Sequence, residues 1–285
     1  MTARLLPAWR DLTGPIDVLI GRLSLLLVIV NTNYDRPVMI AAAIGAAVIA
    51  PHPRLIRSPW PWFALAAVIG TAQARIWWRV DDHVVATTYW LIGFGAAQFA
   101  GDPILVLRRS ARLLVGCIFV LAFGWKVLSS QFTSTEFFQY TMVRDSRFEV
   151  VSQTIGGMGD DELASARTDL AELSRSGDIG DRVVVAPGPR TATVAGLLTV
   201  WGIGIEGAVA ASFLAPLRGR WRRLRPTTLV VFCLTTYGVV PVFGFAALLL
   251  TLGMMQENEA RLRPIYPVAL VLVPLSSYLL DRLGS

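Results

Sequence analysis

The stretch VMIAAAIGAAVIAP, residues 38–51, decides how this chain is read. It carries no charge, it is bounded by Pro37 and Pro51, and it falls short of the roughly 20 helical residues that cross a bilayer core of ~30 Å. Seven longer apolar blocks surround it, near 16–32, 60–78, 84–101, 112–129, 191–217, 228–253 and 264–281. Counting the short block as a span gives eight. Leaving it out, as a re-entrant segment, moves every later loop to the other side.

Arginine placement chooses between the two. With the N-terminus in the cytoplasm and eight spans, the cytoplasmic segments hold thirteen arginines, among them Arg54, Arg57, Arg108, Arg109, Arg112 and the run from Arg218 to Arg225. The short loops on the opposite side hold only Arg36, Arg79, Arg261 and Arg263. Basic residues concentrate on the cytoplasmic side of membrane proteins. The expectation is therefore an all-α polytopic membrane protein of about eight transmembrane helices, multi-pass in a plasma (bacterial inner) membrane, with both termini cytoplasmic. The first block carries Asp17 and Arg22 and no small-residue cleavage site, so it reads as a retained helix.

Composition agrees with this class. Of 285 residues, 54% are hydrophobic and 16% charged, against about 25% charge in an ordinary soluble domain. The net charge of +6 follows the loops and not a phosphate-binding face, so nucleic acid is not an expected partner. Cys117 and Cys233 lie inside apolar blocks, with no CxxC and no zinc spacing.

Residues 130–190 form the one long polar region, on the extracytoplasmic side. Asp160, Asp161 and Glu162 open a helix with Leu163, Leu170 and Leu173 on one face and Gly177 after it. Stretches 147–153 and 182–186 read as strands. The domain plan is a membrane module over 1–129, a small α/β cap over 130–190 that offers a surface to a protein partner, and C-terminal membrane helices over 191–285.

Polar groups inside apolar blocks are costly and mark candidate sites. They are Arg22, Gln73, Arg75, Gln98, Lys126 and Glu206, with Asp81, Asp82 and His83 at a block's edge. Lys126 is the only lysine among 26 basic residues. An ammonium can give up its proton when desolvated and a guanidinium cannot, so Lys126 is a candidate base. The bland alternative is a lysine snorkelling to the interface. In the eight-span arrangement His83 opens an inward helix and Lys126 closes an outward one, at the same extracytoplasmic depth. A metal on Asp81, Asp82 and His83 is disfavoured, because one imidazole beside adjacent carboxylates is a poor ligand set. Glu206, in WGIGIEG (201–207), needs a partner at its depth, and Arg22 is the candidate for an ion pair.

Two stretches resemble a known family. DHVVATTYWLIG (82–93) is similar to the Asn-His…Tyr-x-Leu-x-Gly stretch of vitamin K-dependent γ-glutamyl carboxylases, and LAFGWKVL (121–128), followed by Phe132, Phe138 and Met142, to their Ala-Gly-x-Lys-Lys-Leu segment. Bacterial relatives of that family are the horizontally transferred transmembrane (HTTM) domain proteins. Asp82 stands where the pattern has asparagine, and one lysine where it has two. The resemblance, over about 15–142, implies a reduced quinone of the vitamin K type as cofactor. It also implies Lys126 as the base that deprotonates the quinone and His83 as a catalytic neighbour. Tyr89, Trp90 and Trp125 then line the ring site; as plain sequence they are also what an interfacial aromatic belt supplies.

Two functions compete at this point. One is a quinol-dependent membrane enzyme. The other is a non-catalytic membrane subunit or scaffold, whose Arg218–Arg225 run meets anionic lipid or an acidic partner. A transporter lacks the inverted repeat it would need.

Overall fold

The computed structural model describes residues 15–30, 35–176 and 188–284. Among the described residues every element is helical. The main helices are α1 (Ile16–Val30), α2 (Arg36–Ile49), α3 (Pro59–Arg75), α4 (Asp82–Ala97), α5 (Pro103–Leu128), α6 (Glu136–Arg144), α7 (Asp160–Ser176), α8 (Pro189–Leu214), α9 (Leu224–Phe232), α10 (Phe243–Gln256) and α11 (Ile265–Gly284).

Local chemistry sets several of the starts. Pro37, Pro59, Pro103 and Pro189 each sit in a first turn, where a missing N–H costs nothing. Asp102 caps α5 by accepting from the Leu105 N–H at 3.0 Å.

The eight-span expectation is corrected. Only α5 and α8, of 26 residues each, are long and apolar enough to cross a membrane, among the described residues and by length and composition alone. Five of the other apolar helices, α1, α2, α3, α4 and α10, have 14 to 17 residues. At 1.5 Å per residue these are roughly 21–26 Å, short of a ~30 Å core.

The block 228–253 is the clearest departure, because it is two helices and not one. α9 continues into a π-helical turn over Cys233–Tyr237, and the chain breaks at 238–242 around Pro241. α10 then runs back. Its return is fixed by contacts at both ends. Gly253, late in α10, packs against Leu229 of α9 and Tyr266 of α11. The amide of Gln256 donates to the Tyr266 hydroxyl at 3.3 Å. At the far end, Gly238 lies against the Ser276 hydroxyl. So α9 and α11 run the same way with α10 antiparallel between them.

The expected α/β cap is also corrected. Residues 147–153 form no strand: Ser146–Phe148 is a 3₁₀ turn and Val151–Ile155 a π turn. Local bonding defeats the extended state. The Asp145 carboxylate accepts from the Arg147 N–H at 3.0 Å, and the Ser152 hydroxyl lies 2.7 Å from the Met142 carbonyl and 2.9 Å from that of Phe148. Val151 then packs with Met142, Phe148, Val194 and Ala195. The second expected strand, 182–186, and Gly177 lie outside the described residues.

α5 and α8 form an antiparallel pair on two close approaches. Gly116 admits Leu214, and Gly207 admits the Phe123 ring. A single apolar core joins α1, α2, α3, α4 and α10 to the inner faces of α5 and α8. Trp62, Trp90 and Tyr266 are its bulkiest fully buried members, and the Trp62 and Phe94 rings lie 4.0 Å apart. The outer faces of α5 and α8 stay apolar and uncovered, with Leu121, Trp125, Leu128, Leu197 and Val200 all exposed.

Candidate functional site

The polar residues of the apolar blocks fall into three groups, each positioned by the helix geometry above. The first holds α5 to α8. Lys126 Nζ pairs with Glu206 Oε1, and the ammonium also lies 5.5 Å from the Phe132 ring centre. Both side chains are largely withdrawn from solvent, and Glu206 Oε2 is buried with no partner. The expected Arg22–Glu206 pair is not formed, because Arg22 sits at the other end of the bundle. Its guanidinium donates to the Ala50 carbonyl at 3.2 Å, near Asp17, which pairs with Arg57 at 2.8 Å.

A second group satisfies itself within the bundle. The Gln73 amide donates to the Val84 carbonyl at 2.9 Å and to Thr88 Oγ1 at 2.8 Å, tying α3 to α4. Gln98 donates to Phe94 O, one turn back. These amides bond within and between helices and face neither cavity.

The third group surrounds a cleft at the end of the bundle marked by Pro241. Two cavities meet there, sharing Arg147 and Val242. The larger, of about 900 Å³, lies under α6 and is walled by Phe137, Tyr140, Phe148 and Tyr237 with Arg144 and Arg147 at its polar edge. The smaller, of about 650 Å³, has an aliphatic floor of Leu23, Leu27, Leu270 and Val273 and a polar rim of Asp81, His83 and Arg147. Asp145 holds the Arg147 guanidinium through both its oxygens, and this charge-assisted pairing lowers the Asp145 pKa below the usual carboxylate range. Arg144 donates to the Tyr140 hydroxyl at 2.7 Å.

His83 reaches this cleft from the first turn of α4. It is 8% exposed and its ring lies roughly parallel to Phe245 at 6.1 Å. Burial lowers its pKa from the ordinary value, against an opposing pull from Asp81 and Asp82.

The structure does not gather the sequence-derived site residues around one pocket. His83 lines the smaller cavity, whereas Lys126 lines neither. Trp90 is buried in the core, its indole N–H donating to Ser24 Oγ at 2.8 Å. Tyr89 and Trp125 are 64% and 69% exposed and point away from the bundle. Arg144, Arg147, Tyr140 and Tyr237 were not singled out from sequence. The available signal was the RDSR run at 144–147 following the FFQY aromatics at 137–140. Among the described residues no group of His, Cys, Asp and Glu is arranged to hold a metal ion.

No protein family model, no curated protein and no solved structure matches this chain.

Proposed function

We propose that this chain is a membrane-embedded, non-catalytic protein that holds an amphiphilic ligand in the cleft at Arg147. The observation that carries this reading is the junction of the two cavities. Their volumes lie in the range of small-molecule sites, and an aliphatic floor beside a polar rim fits a ligand with a tail and a head. The head group meets Arg147, Asp81 and His83 and the tail lies along Leu23, Leu27 and Leu270. The exposed apolar faces of α5 and α8 support placement in a membrane, because patches of that size meet lipid or protein. The plasma membrane is the compartment this reading assigns.

A lipophilic quinone belongs to the same chemical class. The quinol-enzyme reading keeps one favourable observation, the buried His83 on an apolar cavity. Its other pillar is weaker, because Lys126 is engaged by Glu206 and faces neither cavity.

The test is extraction and mass spectrometry of small molecules retained by the purified full chain. Wild type retains an amphiphile, and Ala247→Trp, which fills the aliphatic cavity, loses it. Retention that is equal in the two proteins, or absent from both, overturns the proposal. Quinol oxidation by the wild type that disappears in His83→Gln would replace it with the enzyme.

A further inference from the structure

A second site lies at the opposite end of the molecule from the cleft and is independent of it. Arg225 is buried at the α8–α9 corner, where its Nε donates to the Ser212 carbonyl at 3.0 Å and its Nη2 to that of Ala215 at 3.2 Å. This places the guanidinium at the C-terminal end of α8. Gly116 of α5 packs on Leu214 at the same level, so Arg112, one turn earlier in α5, lies beside Arg225. Arg108 is a further turn back on the same face. Arg222 shares a small cavity with Arg225 and Glu257.

Four arginines thus converge on one helix junction. Neither Arg108 nor Arg112 forms an ion pair with any described residue, and the Nε of each is buried with no acceptor. A buried donor left unsatisfied is expensive, and like charges gathered in a partly dry site repel. The repulsion is visible at Arg225, whose pKa is lowered by burial and by Arg112 and Arg222. Among the described residues Glu257 opposes it, with a smaller pull from Tyr266, and the Glu257 carboxylate also accepts from the Glu259 N–H. Among the described residues the four guanidiniums outnumber the two carboxylates, Glu257 and Glu259, that line this cavity. Guanidinium forks match phosphate oxygens bidentately.

We infer that Arg108, Arg112, Arg222 and Arg225 form a binding site for a phosphate group, supplied by an anionic phospholipid headgroup or by a free phosphate. Thermal unfolding of the full chain in a neutral detergent tests this. The additions are phosphatidylglycerol, phosphatidylcholine, and sodium phosphate against sodium chloride of equal ionic strength. The expected result is a Tm several degrees higher with phosphatidylglycerol, by ligand linkage. The shift is lost in the double variant Arg108→Gln/Arg112→Gln and kept in Arg109→Gln, whose side chain is exposed outside the cluster. A shift with phosphatidylglycerol alone assigns the headgroup as the source. A shift with sodium phosphate as well assigns the free ion. Should the double variant not fold, Arg112→Lys keeps the charge but not the fork and must weaken the response at least several-fold. No rise above chloride, or a response unchanged in these variants, overturns the site.

Discussion

Lys126 and Glu206 show how far a single residue's chemistry can be read. That a mid-block carboxylate must find a partner followed from the cost of burying charge, whereas the only lysine reads as a candidate base or a snorkelling residue. That they would find each other did not follow, because the partner depends on how α5 and α8 align, and the two glycine contacts that set this alignment have no signature in the spacing of charges. The same limit applies to Tyr89, Trp90 and Trp125. They are close in type and in sequence position to a ring site, yet the helix turn sends Trp90 inward to Ser24 and the other two outward. The pair has a measurable consequence. Glu206→Gln or Lys126→Met alone leaves one largely buried charge without its partner and is expected to cost about 3–5 kcal/mol. The double variant Lys126→Met/Glu206→Gln removes both charges and is expected to recover most of that loss. Denaturant unfolding in detergent of the two single variants and the double gives the coupling directly. Additive losses would show that the two side chains do not interact.

At the scale of elements, apolar composition was legible and continuity was not. The block 228–253 carries its own breaker in Gly238 and Pro241, and proline removes a helical hydrogen bond and clashes with the preceding turn. Read for hydropathy alone, the block is one span; read for breakers, it is the α9–α10 hairpin. The cap failed for a related reason, since a seven-residue alternation is too short to outweigh Asp145 and Ser152 bonding to the nearby backbone. By contrast the acidic first turn of α7 is a local signal, and the helix lies where that signal put it. Packing of the hairpin can be tested at Gly253. A Cβ there would run into the Tyr266 ring and come within 2.7 Å of Leu229, both fully buried. Replacing glycine by alanine in a helix gains up to about 1 kcal/mol of propensity, whereas overpacking a closed core costs about 1–3 kcal/mol. Gly253→Ala is therefore expected to lower stability. Gly124→Ala on α5 meets nothing within 4 Å and is expected to raise it by up to about 1 kcal/mol. A shift of the same sign in both variants would contradict the packing of α10 on α9 and α11.

For the molecule as a whole, taking 228–253 as one crossing assigned two arginines to the wrong end. Arg261 and Arg263 were counted with the poor side because 228–253 was taken to cross once. In the structure the turn that carries them follows Gln256 and lies by Arg222 and Arg225, and the Arg263 guanidinium donates to the Glu257 carbonyl. α11 starts at this end, by Tyr266, and runs to the level of Gly238 by Ser276, so its later part heads for the cleft end. Single cysteines can decide this in a chain whose own Cys117 and Cys233 have been replaced by alanine. Asn258→Cys is expected to react from the same side as His52→Cys, since residue 258 lies with Arg225 and residue 52 lies by Arg57 and Asp17 at that end. Gln131→Cys, on the rim of the larger cavity, is expected to react from the other side. A membrane-impermeant maleimide added to sealed vesicles and then to opened ones reads all three. Labelling of Asn258→Cys together with Gln131→Cys would restore the single crossing by 228–253 and remove the hairpin. Labelling of Asn258→Cys with His52→Cys would fix α10 as a returning arm and place the arginine cluster and the Arg147 cleft at opposite ends of the molecule.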